Sequence, residues 1–265
     1  MTADANWIPD EINVEVPSAA RVYDYLLGGG HNFAADRAVG EVVLKVQPQG
    51  RQIAASNRAF LSRAVRFLVD RGIRQFLDLG SGIPTVGNVH EVAQRADPEA
   101  RVVYVDYDPV AVAHSQLLLR GNDHATVIDA DLTQPEQVLN SPDLHKFIDF
   151  DEPVGLLMVA VFHFVPDEKS PADIVAKYRS VLPSGSFLAL SHLTADQMPG
   201  ESDAVVEAMR NSRDPMYFRP YDDVVRLFDG FELVPPGVVT ASRWHGDASD
   251  AGAQEGVYAG VARKA

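Results

Sequence analysis

The chain contains no cysteine. That absence excludes disulfide cross-links, thiolate metal sites and cysteine nucleophiles together, and it suits a reducing compartment. Long apolar runs are missing too: none approaches the roughly 18 residues a membrane span needs. The opening residues, MTADANWIPDE, lack the basic flank and apolar stretch of a secretion signal. The expectation is a soluble, cytoplasmic protein with no membrane partner. Basic residues are scarce, with 23 Lys and Arg against 37 Asp and Glu and a formal charge of -14. Such a surface repels a phosphate backbone unless its cations gather in one patch, which argues against a nucleic-acid partner. Repeats and low-complexity tracts are absent, so solenoids and linkers between full modules are set aside.

What is present is a chain of 265 residues, 46% of them hydrophobic, long enough for one large core. The texture divides it into a helical extension over 1–73, a core of alternating strands and helices over 74–193, and a remainder over 194–265. These are read as parts of a single domain, 1–265. In the extension, Val22, Tyr23, Leu26 and Leu27 fall at helical spacing before three glycines, and Ala35, Val39, Val42, Val43 and Val46 form a second stripe after a candidate Asn32 cap. Ser56 is the candidate cap of a third helix, with Phe60, Leu61, Ala64, Val65 and Leu68 on one face and Gly72 as its stop.

Short apolar runs then predict parallel strands at 75–79, 102–106, 125–130, 154–161 and 186–191, joined by crossover helices. Asp108-Pro109 and Ser170-Pro171 each place a capping side chain before a proline at the first helical position. The tail segments GFELVPPGVV and VYAGVARKA read as an antiparallel pair without an intervening helix. The fold class is α/β, a doubly wound Rossmann-like sheet of about seven strands with extra N-terminal helices.

Ligands of such sheets bind beyond the carboxyl ends of the strands, and the stretch QFLDLGSGIPTVG ends the first strand on an acid before a glycine loop. Gly80 and Gly82, with Ser81 between them, allow close backbone approach. A dinucleotide fingerprint would need glycine at Thr85, so that match fails. Asp78 at the mouth suits a ligand with a cationic amine or sulfonium, as in S-adenosyl-L-methionine, better than a pyrophosphate. Asp106, ending the second strand, stands where an acid receives ribose hydroxyls, with Tyr107 placed to lie against adenine. The third strand delivers Asp131 and the Leu132 N–H to the same edge, an acceptor for an exocyclic amine and a donor for a ring nitrogen. Taken singly, the glycines after Asp78 are equally well ordinary turn residues, and Asp106, Asp108 or Asp131 equally well a helix cap; the ordered series is what points to one adenosyl ligand.

The segments PSAARVYDYLLGGGHNFAADRAVGE, NRAFLSRAVRFL, FLDLGSGIPTVGNVHEVAQ, VVYVDYDPVAVAH, VAVFHFVPD and ALSHLT span nearly the whole chain. Together they resemble a bacterial S-adenosyl methyltransferase family long catalogued only as a domain of unknown function, within the wider class I superfamily. The resemblance implies the same fold and cofactor and carries over most directly to Asp78, Gly80, Asp106, Tyr107, Asp131 and Leu132. Pro84 departs from the superfamily, whose loop usually has a glycine there, so contacts beyond Gly82 are expected to differ.

Methyl transfer asks mainly for alignment and exclusion of water. His163, after the fourth strand, is the candidate general base, set against plain packing among Phe162, Phe164 and Val165; His192 is a weaker candidate. Tyr23, Tyr25, the triple glycine and Asn32 are expected to form a lid over the cofactor, and Arg58 or Arg21 to meet its carboxylate. Met198, Met209, Met216, Tyr217 and Phe218 are candidates for the wall of an acceptor pocket. The function read from the sequence is S-adenosylmethionine-dependent methyl transfer to a small-molecule acceptor. Its rivals are a non-catalytic binder of the same nucleotide and an NAD-dependent oxidoreductase; oligomeric state is left open.

Overall fold

The computed structural model describes residues 12–85, 87–198, 200–246 and 256–265; the opening MTADANWIPDE and most of the loop read before the last strand lie outside them. Three helices come first. Ser18 caps α1 (Ala19–Leu26), its hydroxyl accepting the Arg21 N–H. Asn32 does not cap α2 (Ala34–Val46). The Phe33 N–H instead donates to Asp36 Oδ2 at 2.8 Å. Asp36 is fully buried and also accepts from Ser18 N at 3.1 Å and Arg21 Nε at 2.9 Å, so one carboxylate ties the starts of two helices to one guanidinium.

The third helix, α3 (Gly50–Asp70), starts earlier than its expected Ser56 cap, which lies inside it. Ile53 and Ala54 are buried and extend the apolar stripe toward the N-terminus, so packing overrides the capping signal. Phe60, Leu61, Ala64, Val65 and Leu68 are all buried as read. At roughly 1.5–3 kcal/mol for each large apolar side chain, that face rather than its ends holds the helix. Gly72, at φ +88°, supplies the left-handed stop.

The alternating region then runs β1 (Gln75–Leu79), α4 (Val89–Ala96), β2 (Arg101–Asp106), α5 (Pro109–Leu118), β3 (Ala125–Asp129), α6 (Pro135–Leu139), α7 (Pro142–Phe147), β4 (Gly155–Val159), α8 (Pro171–Val181) and β5 (Phe187–Leu193). The remainder is α9 (Ser202–Met209), α10 (Tyr221–Arg226), β6 (Glu232–Leu233), β7 (Val239–Thr240) and β8 (Val257–Arg263). Asp108 caps α5 as expected, accepting from Val110 N at 2.8 Å. Ser170 precedes α8 but makes no side-chain cap bond. The fourth strand stops at Val159, short of the expected 161, because Ala160 turns to φ 59° and Phe162–Phe164 form a 3-10 turn. The expected first tail strand breaks at Pro235-Pro236 into β6 and β7, since proline has no N–H for a ladder; both pieces pair antiparallel with β8.

The described residues thus form an eight-stranded sheet in the order β3-β2-β1-β4-β5-β8-β6, with β7 also on β8. Neighbours from β3 to β5 are parallel, and β8 is antiparallel to β5. The chain reverses direction across the sheet between β1 and β4, the place where an open α/β sheet leaves a crevice. Strand alternation sends Phe76, Val102, Tyr104, Leu157 and Ala189 into one core beneath α3 and α4. Leu77, Val103, Leu156, Met158 and Leu188 enter a second core with α8 on the opposite face. By the same alternation Asp78, Asp106, Val159, Ser191 and Leu193 lie on the α3 side at the carboxyl ends. No helix among the described residues is long and apolar enough to cross a membrane.

Candidate functional site

Over that edge lies a cavity of about 520 Å³, walled by the strand ends below and by α1, α3 and α9 above. The glycine loop forms its floor. Gly80 N and Ser81 N both donate to Val105 O, at 2.8 and 3.1 Å, folding the loop back over β2. Gly80 has φ +71°, and a Cβ there would stand 2.3 Å from Val161 Cγ1, so its role is close packing against the loop after β4. Gly82, at φ +66°, differs: a Cβ there would meet nothing within 4 Å, and its N–H donates to Asp106 Oδ2 at 2.7 Å. Beyond it Ile83 turns away into a small cluster with Val110 and Ala111, and Pro84 is not part of the cavity wall.

Asp78 and Asp106 are both buried in this wall. Burial pushes the Asp78 carboxyl up to about 7; the Arg58 charge opposes that rise and the Asp106 charge adds to it. Asp106 is raised by burial to about 6, moderated by backbone N–H groups of Asp108 and Gly82. Burial thus biases both carboxyls toward their neutral form, and a cation bound beside them would restore the charge. Arg58 donates to Asn88 Oδ1 at 2.9 Å, while its Nε is buried with no hydrogen-bond partner; Ser81 Oγ is buried and partnerless as well. Buried polar groups are rarely left unpaired, and both of these belong to residues of the cavity wall.

Asp131 and Leu132 reach the wall from the loop after β3. Asp131 accepts from Thr133 N and Oγ1, both at 2.8 Å, and Leu132 O receives the Tyr178 hydroxyl at 2.9 Å, which fixes that loop. Tyr107 also lines the cavity, with its hydroxyl donating to Asp214 and the Arg213 guanidinium 4.4 Å from its ring centre. Asp214 in turn accepts Ala19 N at 2.7 Å, so the segment after α9 joins β2 to the start of α1.

The helical side is only partly as expected. Tyr23 is in the wall, its hydroxyl donating to Ala54 O at 3.1 Å and accepting from Asn57 Nδ2 at 3.0 Å. Asn32 is not. Its amide donates to Asp24 Oδ2 at 2.8 Å and to Gly29 O at 2.9 Å, away from the cavity lining. Gly29, the middle of the three glycines, lies against the buried Asp24 carboxylate, where an added Cβ would fall 2.0 Å from Asp24 Oδ1. Backbone room is needed there for an internal acid rather than for a ligand. Tyr25 faces Glu41 and Arg51 instead of the cavity. Arg21 is occupied by Asp36 and lies 3.8 Å from Asp108; of the two arginines read for a ligand carboxylate, Arg58 lines the cavity and Arg21 does not.

His163 lines the cavity, with Nδ1 accepting the Leu193 N–H at 3.3 Å. The neutral ring therefore carries its proton on Nε2. Burial, His192 and Arg219 drive its pKa well below the usual imidazole value. A ring so placed has no free lone pair and resists protonation, the reverse of what a general base needs. His192 is consumed structurally, receiving Arg219 at 2.9 Å on Nε2 and bonding Leu193 O through Nδ1 at 2.6 Å. Of the segment read as an acceptor wall, Met209, Met216 and Tyr217 line the cavity, whereas Met198 and Phe218 do not.

Sequence reading missed Asn57, Ser191 and Asp214. Asn57 Oδ1 receives Ser191 Oγ at 2.6 Å, and Ser191 Oγ accepts Ala160 N at 3.0 Å, linking α3 to the ends of β4 and β5. Ala160 sits at φ 59°, a strained conformation for alanine of the sort found beside functional sites. Only Asn57, an amide within the apolar stripe of α3, carried a visible signal.

A family profile described as S-adenosyl methyltransferase matches residues 5–265. A DUF574 family protein from Streptomyces avermitilis is 39% identical over 95% of this chain and 99% of its own, with a TM-score of 0.92. A protein from Thermobifida fusca described as a candidate methyltransferase is 40% identical over 97% of this chain and 98% of its own, with a TM-score of 0.89. The magnesium protoporphyrin IX methyltransferase of Synechocystis PCC 6803 shares the fold at 14% identity, covering 92% of this chain and 93% of its own, with a TM-score of 0.53. No curated protein matches the chain. The acid-and-glycine strand edge and the full-length match lead to one conclusion: the chain belongs to the S-adenosyl methyltransferase family, whose cofactor is S-adenosylmethionine.

Proposed function

We propose that the protein transfers a methyl group from S-adenosylmethionine to a small-molecule acceptor. The observation that carries this reading is the convergence on one cavity of Asp78, Asp106 and Asp131 from three successive strand ends with the partnerless Arg58 Nε. The bound cofactor would supply an electrophilic methyl on a positively charged sulfur. Arg58 would hold its carboxylate and Asp78 its ammonium, opposite charges matched to opposite ends of an amino acid. Gly82 leaves space open, and Asp106, already fixed by backbone donors, would accept ribose hydroxyls. Tyr107, Asp131 and Leu132 would bound the adenine.

The chain's own work is then positional. The dry walls exclude water, and α1 closes the cavity through Ala19, Val22, Tyr23 and Leu26. The acids around the sulfonium favour the charged reactant, so rate comes from alignment with the acceptor. No proton acceptor is assigned to His163; its Nε2–H is suited to donate to an oxygen of the acceptor. The missing third glycine and the acid at the loop mouth disfavour a pyrophosphate-bearing dinucleotide.

Isothermal titration calorimetry tests the reading. S-adenosylmethionine and S-adenosylhomocysteine should bind with a 1:1 stoichiometry, and NAD should show no heat at the same concentrations. Tight NAD binding, or failure of both adenosyl compounds, would remove the proposal.

A further inference from the structure

The cavity is lined by a group of residues that the cofactor's chemistry does not explain. Val22, Val43, Val205, Met209 and Met216 form a hydrophobic cluster separate from both sheet cores, and every one of them lines the cavity. They come from α1, α2, α9 and the segment after it, elements added outside the alternating core. Leu26, Ile53, Leu61, Leu193 and Val257 continue the same wall. A cluster whose buried members all face a cavity has left apolar surface without a partner, which water fills poorly and an apolar ligand fills well.

The polar groups on this side are already engaged. The Tyr23 hydroxyl is held by Ala54 O and Asn57, and the Asn57 carbonyl by Ser191. The Gln47 amide donates to Met198 Sδ. The charges on the wall are already matched: Arg58 beside Asp78, Lys169 beside Asp131, and Arg213 with Asp214 at Tyr107. An acceptor bearing its own charge would lose its hydration here and gain no counter-ion.

The geometry points to an acceptor that is uncharged and largely apolar, a hydroxylated aromatic or similar ring compound, seated among Val22, Val43, Val205 and Met209 with the His163 Nε2–H as the available donor for its oxygen. This rests on the transfer reading above, and the test separates the two. The full chain, saturated with S-adenosylhomocysteine, is titrated calorimetrically with 2-naphthol, 2-naphthoate and 2-naphthylmethylamine, which present one bicycle as neutral, anionic and cationic forms. 2-Naphthol should bind while S-adenosylhomocysteine stays in place, and both charged congeners should bind at least about tenfold more weakly. Val205→Phe, which fills the chamber, should weaken 2-naphthol at least about tenfold and leave S-adenosylhomocysteine affinity within about twofold. Met209→Phe serves the same purpose if the first variant does not fold.

A charged congener binding as well as 2-naphthol would overturn the assignment. So would displacement of S-adenosylhomocysteine by 2-naphthol, indifference to both filling variants, or absence of 2-naphthol binding to the loaded protein. Failure of S-adenosylhomocysteine itself to bind would instead bring down the transfer reading, and this assignment with it.

Discussion

The two walls of the cavity are built on opposite principles. The strand-end wall is polar and held against its own preferences: Asp78 and Asp106 are buried acids raised toward neutrality, and Ala160 is strained. The helical wall is apolar, with Val22, Val43, Val205 and Met209 clustered along the cavity. A ligand with fixed charges needs groups already in place, at a cost in stability, whereas an apolar ligand needs little beyond shape and dryness. The contrast explains why the first wall has a readable motif and the second does not.

The strongest way to break this comparison is to remove the cation that α3 sets beside the strand-end acids. Arg58→Met should lower S-adenosylhomocysteine affinity by about 50- to 100-fold, the equivalent of a charge-assisted hydrogen bond of roughly 2–3 kcal/mol. Calorimetry reads this directly, and unchanged affinity in a folded variant would take Arg58 out of the site.

A smaller effect sharpens the claim that this wall is costly. Asp78 titrates at about 7 in the folded chain against 3.8 for a free side chain, so its contribution to stability is complete below 3.8 and is lost as pH rises through about 7. Asp78→Asn removes that loss. The variant should be more stable than the parent at pH 8 by on the order of 2 kcal/mol, with little difference at pH 4, while cofactor affinity falls about tenfold. Thermal unfolding at the two pH values decides it; a variant less stable at pH 8 would mean that the charged acid is well accommodated.

The least effect is expected at the junction of the walls. With Nδ1 bonded to Leu193 and burial opposing protonation, the His163 ring should show no chemical-shift titration between roughly pH 5 and 8. An NMR pH titration with a midpoint near 6.5 would restore the general-base role read from the sequence.

Much of the fold was legible because its determinants are local. Each parallel strand is a short apolar run, and Asp108-Pro109 announces α5 by side-chain geometry alone. Asp78, Gly82 and Asp106 were readable for a similar reason, since the strand before each fixes which edge it reaches. Asn32 and Tyr25 were misplaced because the triple glycine has two equivalent uses, and only the position of Asp24 chooses between them. The α3 start was misread because Ile53 and Ala54 reward extension through contacts with residues far away in sequence. Asn57 pairs with Ser191 across 134 positions, a relation no local pattern carries.

The sequence by itself determined the order of strands and helices and the acids at the strand ends, because alternation, caps and glycines act over a few residues. Tertiary structure decided which face of the sheet the cavity occupies, which arginine stands beside Asp78 and how His163 is oriented. Those depend on burial and on partners brought from distant segments, and desolvation acts only once the chain has closed around them.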